Sequence, residues 1–239
     1  VAYSPNKRQQ FNFFVVNESS INAFAMIGGV IGVHTGLILA SNNESEVASV
    51  LGHEIAHVTQ RHLPRMIAQQ KNDSIRTVLG IALALLVARA NPQLSAGTMT
   101  AASAMGVQKQ LDYTRDHEKE ADRVGFQILT DAGFDGRSMV SFFNTLQRGS
   151  RFSEGAAPSF LRTHPITADR ISDISNRVKE SRYKQIPDNP DFMFIKSKLR
   201  AMNNTPQSAV ETFEGSLKDK RYINEGAERY GLAIAYMRK

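Results

Sequence analysis

His53 and His57 stand four residues apart with Glu54 beside the first of them. That spacing brings two imidazoles onto one face only if the segment is helical. The chain is therefore constrained to place a helix here. Glu54, one step round the same helix, can accept a proton from a water that a metal has activated. Hydrolysis of a peptide bond on zinc requires these parts: nitrogen ligands, an open coordination position and a nearby base. Two surface histidines beside a glutamate are the bland alternative, and the rest of the sequence has to decide between them.

A hydrolytic zinc site usually takes three protein ligands. A metzincin would need Gly at position 60 and His at 63, whereas this chain has Gln60 and Leu63, so that class is excluded. Downstream, Asp116 to Asp122 contains Glu118 and Asp122 at i,i+4 spacing. Glu118 can offer a carboxylate oxygen to the ion. Asp122, one turn later, can accept the outer N–H of a ligating imidazole or hydrogen-bond a reacting group. Glu120 is directed to one side and is expected to be solvated. Gly125 would let this helix approach another closely. A solvated acidic face is the alternative reading of the cluster.

These residues together resemble the HtpX/Oma-type zinc peptidases, metallopeptidase family forty-eight. The resemblance rests on Asn22-Ala23-Phe24-Ala25, Gly36-Leu37, the run Leu51 to His62, and Glu118 with Ala121-Asp122. Leu161 to Pro165 followed by Arg170 is similar to the periplasmic branch of that family, the β-barrel assembly-enhancing proteases. The resemblance runs from about Phe11 to the C-terminus. It implies an α+β, mostly helical, gluzincin-type domain with a small sheet beside the zinc helix, and one zinc ion held by His53, His57 and Glu118. It also implies that His164 is a fourth ligand able to hold the enzyme latent, and that Arg170 orients substrate or stabilises an oxyanion. Glu54 would be the catalytic base; Asp122 would support a zinc histidine or donate a proton. By resemblance the substrates are unfolded or misassembled polypeptides, the address is the periplasm, and outer-membrane assembly machinery is a partner, with peripheral membrane contact. The competing class is a chaperone-like binding module for outer-membrane proteins whose zinc is latent or structural; an intact Glu54 argues against it, since a structural site needs no base.

At 239 residues the chain can hold one substantial domain and part of another. A net charge of +6 suits anionic headgroups or acidic partners, but no basic-aromatic array points to nucleic acid. Absence of cysteine removes disulfides, thiolate ligands and a cysteine nucleophile. The division expected is a metalloprotease domain over 1–185 and a helical linker with the opening of a tetratricopeptide-like repeat domain over 186–239. Ala227, Tyr230, Gly231, Ala233, Ala235 and Tyr236 resemble the first helix of such a repeat, whose second helix and neighbours would lie beyond. The resemblance also implies that a secretory signal and an N-terminal helix or two precede Val1.

Local patterns place these parts. Phe11 to Val16, Asn22 to Ala25 and Val30 to Val33 read as short strands, with Gly28-Gly29 as a turn. An exposed edge of that sheet could hold a substrate backbone extended across the metal; family likeness assigns this to Asn22, Ala23, Phe24 and Ala25, although Ala23 and Phe24 would serve equally well as core. Ser41 to Glu44 has a capping-box pattern, and Asn43 with Glu46 offers an alternative start, for a helix running to about Met66. His62, five residues beyond His57, falls off the ligand face and reads as structural. Val78 to Ala88 is too short to span a membrane and reads as a buried helix or an amphipathic flap. Leu111 to Ala132, Arg137 to Gln147 and Thr167 to Glu180 read as helices, Gly133-Phe134-Asp135 as a stop, and Arg151 to Ala157 as a loop. Pro165 biases His164 toward extended backbone.

Overall fold

A computed structural model describes residues 2–4, 6, 8–71, 114–152, 158–181, 187 and 189–239, with 150–152 described in backbone alone. Val78 to Ala88 lies outside these residues, as do positions 111–113 and 153–157.

Strands β1 (Asn12–Val16), β2 (Ala23–Met26) and β3 (Val30–His34) form one sheet in the order β1-β3-β2. β1 runs parallel to β3 and β2 antiparallel to it, so Phe13 and Ala25 both lie opposite Ile31. The turn from β2 to β3 needs positive φ at two successive positions, +95° at Gly28 and +87° at Gly29, which glycine adopts without a Cβ penalty. β3 occupies the centre and buries Ile31 and Val33. β2 is left at an edge, with one row of backbone groups outside the sheet.

The chain then turns into α1 (Thr35–Ala40) and α2 (Glu44–Thr59), the helix that carries His53 and His57. Of the two starts the sequence offered, the second is used. Asn43 is the N-cap and accepts from the Glu46 N–H at 2.9 Å, while the Glu46 carboxylate accepts from the Asn42 N–H at 2.7 Å. Ser141, from much later in the chain, donates to the same carboxylate at 2.5 Å. α2 does not continue to Met66. It stops at Thr59 because Arg61 adopts φ +55°, a left-handed turn that satisfies the last carbonyls, and α3 begins at once over 62–71.

The second site helix, α4, covers 114–131 and ends at Gly133, where φ is +88° and the Phe134 N–H reaches back to the Leu129 carbonyl at 3.1 Å. α5 (Arg137–Phe152) runs past the expected Gln147 and takes positions 151 and 152 out of the expected loop. After it come α6 (Ser159–Thr163) and α7 (Ala168–Glu180), the latter capped by Thr167 accepting from the Arg170 N–H. The core joins Ala23, Val33, Leu37, Val50, Phe142, Leu146 and Phe160, which ties the sheet, α1, α2, α5 and α6 together. A second cluster of Phe126, Leu129, Met139, Phe143 and Ile174 packs α4, α5 and α7.

α2 and α4 meet through two glycines. A Cβ on Gly52 would stand 2.9 Å from the Gly125 carbonyl oxygen, and one on Gly125 would stand 2.8 Å from the His53 nitrogen. The backbones touch, as the sequence suggested for Gly125, and the contact sets His53 against Glu118 and Asp122. Gly52 costs the helix about 1 kcal/mol in propensity; the close approach is what that loss permits.

Helices α8 (Pro190–Asn203), α9 (Pro206–Lys218) and α10 (Glu225–Met237) pack on one another around Ala201, Val210, Phe213 and Ala235. α10 is thus already covered on the face that carries Ala227, Gly231 and Ala235, with the Phe213 ring against Gly231. Lys196 on α8 donates to the Ser41 carbonyl at 2.5 Å, fastening this unit to the end of α1. The architecture is mostly helical with a small three-stranded sheet beside the helix of His53 and His57, the class read from the sequence. Among the described residues no helix is long and apolar enough to cross a membrane.

Candidate metal centre

The α2–α4 crossing collects His53, His57 and Glu118, and the segment between α6 and α7 brings His164 to them. One ligand atom from each of the four lies within 4.8 Å of the others, so this group could hold a metal ion. The individual separations are closer still. His53 Nε2 is 3.0 Å from His57 Nε2, 3.4 Å from Glu118 Oε2 and 3.4 Å from His164 Nδ1. Glu118 Oε1 is 3.3 Å from His57 Nε2 and 3.0 Å from His164 Nδ1. Ligand bonds of about 2.0–2.1 Å arranged tetrahedrally put donor atoms roughly 3.3 Å apart. The observed spacings fit that frame.

Charge leads to the same place. Two buried carboxylates, Glu118 and Asp122, hold one buried guanidinium, Arg170, and a third buried carboxylate, Glu54, lies against His164. With the imidazoles neutral, as they are when they ligate a metal, three carboxylates against one guanidinium leave two formal negative charges for a divalent cation to balance. The imidazoles register the same field. Burial lowers the His53 pKa, but Asp122 and Glu118 outweigh it and hold the group at about 10. Burial also lowers His57, where Glu118 offers less support and His53 adds repulsion, so that group sits at about 3. Burial would raise Glu118; its contacts with His164, His53 and His57 instead hold it well below the usual carboxylate range.

Each part has its own support. Asp122 Oδ1 lies 3.0 Å from His53 Nδ1, the outer nitrogen of that ring. Arg170 grips Asp122 in bidentate fashion, Nε to Oδ2 at 2.6 Å and Nη2 to Oδ1 at 2.7 Å. Its Nη1 reaches Glu118 Oε2 at 2.9 Å and the Pro165 carbonyl at 2.7 Å. Only 2% of Arg170 is exposed, so a substrate would meet it only by displacing these bonds. His164 caps α6 at φ −126°, ψ 76°, with its ring stacked on Phe160 at 4.6 Å. Its Nδ1 faces the ligand cluster, and its Nε2 lies 3.5 Å from Glu54 Oε1, an oxygen with no hydrogen-bond partner among the described residues.

Ala23 faces the core at 1% exposure, while Phe24 packs edge-on against Phe14 and His34. The Asn22 carbonyl accepts from the His34 N–H at 3.0 Å, and its side-chain Oδ1 is buried without a partner among the described residues. β2 lies against α2, so Ala23 to Ala25 belong to a strand that borders the helix of the candidate centre.

One group escaped the sequence reading. Glu120 is not simply solvated: its Oε2 accepts from His62 Nε2 at 3.1 Å and from Arg65 Nη1 at 2.9 Å. His62 is buried and sets its Nδ1 2.9 Å from His57 Nδ1. On a continuous helix a residue five positions on would point away. The left-handed turn at Arg61 folds it back, and no glycine signals that turn.

A comparison with known proteins now decides the family. The sequence profile of Peptidase family M48 matches residues 2–178. The chain belongs to peptidase family M48. Among relatives of this M48 chain, the putative beta-barrel assembly-enhancing protease of Vibrio cholerae is 36% identical over 99% of the chain and 49% of that protein. The beta-barrel assembly-enhancing protease of Escherichia coli strain K12 is 34% identical over 99% of the chain and 49% of its own length. The mitochondrial metalloendopeptidase OMA1 of Arabidopsis thaliana is 32% identical over 63% of the chain and 28% of its own length. The M48 chain thus spans about half the length of the beta-barrel assembly-enhancing proteases it matches.

Proposed function

We propose that this chain carries a zinc-dependent endopeptidase that hydrolyses unfolded or misassembled polypeptides in outer-membrane protein quality control, and that His164 holds it latent. The observation that carries the reading is the four-residue ligand group with Glu54 buried beside it. His53, His57 and Glu118 would hold zinc. Bound there, the ion supplies a Lewis acid that polarises the scissile carbonyl and acidifies a water. Glu54 accepts the proton of the attacking water and returns it to the departing amine. Asp122 fixes the outer nitrogen of His53, and Arg170 keeps Asp122 and Glu118 in place. The substrate backbone lies along the free edge of β2 at Asn22 to Ala25, a strand that borders α2.

His164 stands where the attacking water would otherwise reach, with Nδ1 toward the ligands and Nε2 toward Glu54. Activity therefore requires the α6–α7 segment to withdraw it. The relatives' names supply the setting, β-barrel assembly, which brings with it the periplasm, partners in the assembly machinery and peripheral contact with the membrane. In this reading 1–185 is the catalytic domain and 186–239 opens a repeat domain that docks partners. A holding function for unfolded outer-membrane proteins is favoured by one observation, the solvent-facing Phe13, Phe14 and Val15 of β1.

Cleavage of casein by the zinc-loaded chain, measured beside Glu54→Gln and His164→Ala, tests the proposal. The expected pattern is weak cleavage in the wild type, a rise in His164→Ala, and loss by orders of magnitude in Glu54→Gln with zinc content retained. Turnover surviving in Glu54→Gln would remove Glu54 as the base. Inactivity of His164→Ala, together with binding of unfolded substrate, would favour the holding function.

A further inference from the structure

We propose that His62 and Glu120 are positioning residues that fix the tautomer of His57 and aim its Nε2 lone pair at the metal site. The inference deepens the metallopeptidase reading and rests on it.

At its outer end the chain of contacts favours one proton order. His57 Nδ1 and His62 Nδ1 are 2.9 Å apart, so one must donate and the other accept. His62 Nε2 faces Glu120 Oε2 at 3.1 Å, and an ionised carboxylate only accepts. The proton of neutral His62 therefore sits on Nε2, which leaves its Nδ1 as an acceptor. His57 must then carry its own proton on Nδ1. The reverse order would set a ring lone pair against a carboxylate at 3.1 Å, with nothing between them. His57 Nε2 is thereby left unprotonated and can accept from His53 Nε2, 3.0 Å away, while Glu118, whose Oε1 lies 3.3 Å off, takes its donors from His164 Nδ1 and Arg170 Nη1.

The surroundings hold this order in place. The His62 ring is stacked on His117 with 4.3 Å between centroids and 11° between planes. Arg65 Nη1, 2.9 Å from Glu120 Oε2, keeps that carboxylate turned toward His62. His53 has a carboxylate, Asp122, directly beside its outer nitrogen at 3.0 Å. His57 has its carboxylate at one remove, through a second imidazole that the turn at Arg61 places beneath it. Outer partners of this kind typically change metal affinity about 10- to 100-fold.

Zinc affinity of the full chain, measured by competition with a chromophoric chelator, reads the effect without recourse to turnover. His62→Phe keeps a flat ring to stack on His117 and removes both nitrogens; it should weaken zinc binding by about 10- to 100-fold. Glu120→Ala should shift affinity in the same direction by a smaller factor. His62→Gln, whose carbonyl can accept from His57 and whose amide can donate to Glu120, should recover most of the loss; a purely steric role for His62 predicts that Phe, not Gln, is tolerated. Wild-type affinity in His62→Phe overturns the proposal. Histidine nitrogen NMR of the metal-free chain provides a second reading: the proton of His57 should reside on Nδ1 in the wild type and be redistributed in His62→Phe. Finding it on Nε2 in the wild type also overturns the proposal. A wild-type chain that ignores zinc while showing the Nδ1 proton would sink the metallopeptidase reading and leave the proton order standing.

Discussion

Arg170 shows how much a single buried side chain carries here. Among the described residues it is the one arginine in contact with both Asp122 and Glu118, and both carboxylates take hydrogen bonds and charge from it. Removing one partner of a buried pair leaves the other uncompensated, at a cost of about 3–5 kcal/mol. Arg170→Ala should lower the unfolding free energy of the metal-free chain by about that amount in urea titrations. Zinc should offset part of the loss, because it supplies positive charge to the same acids. Arg170→Lys should rescue little, since an ammonium cannot reproduce the bidentate grip. Much of this residue-scale pattern was legible in the sequence. The i,i+4 spacings of His53 with His57 and of Glu118 with Asp122 are local properties of a helix, and a helix was enough to converge them. The grip of Arg170 and the His62–Glu120 chain were not legible. One depends on where α7 docks, and the other on a left-handed arginine in a sequence without a glycine to announce it.

Among elements, the α2–α4 crossing governs the geometry. Gly125→Ala would place a methyl group 2.8 Å from the His53 nitrogen, and backbone cannot retreat as a side chain can. The helices should part, destabilising the chain by about 1–3 kcal/mol and weakening zinc binding as well. Gly215 in α9 provides the contrast, as a Cβ there meets nothing within 4 Å. Gly215→Ala should raise stability by about 0.4–1 kcal/mol and leave zinc affinity alone. Thermal midpoints and chelator competition on the two variants would distinguish a packing constraint from a general glycine effect. The cap at Asn43, the second of two starts the sequence offered, and the stop at Gly133 were readable because each is written in adjacent residues. The β1-β3-β2 order was not, since parallel pairing of β1 with β3 is decided by what packs over the sheet.

At the level of the whole molecule, the candidate ligands come from three segments that are far apart in sequence. An ion bound to them links α2, α4 and the α6–α7 segment, and it binds the folded chain in preference to the unfolded one. Stability should therefore rise with free zinc, by about 2.7 kcal/mol at a hundredfold excess over the dissociation constant. Chelation should lower the thermal midpoint correspondingly, and a midpoint indifferent to both treatments would remove the ion from the fold's energetics. α8 to α10 should feel this least, since their packing among themselves around Phe213 is independent of the ligands.

The sequence separation of those ligands also fixes an order of events in time. His53 and His57 share one helix and can meet as soon as α2 forms, but two imidazoles alone bind an ion weakly. Glu118 must close a loop of some sixty residues, and His164 a longer one, before the set is complete. Contacts at such separation form late on the folding route. Tight metal capture in a refolding chain should then lag behind helix formation, so that acquisition of the ion marks a chain that has already found its native topology.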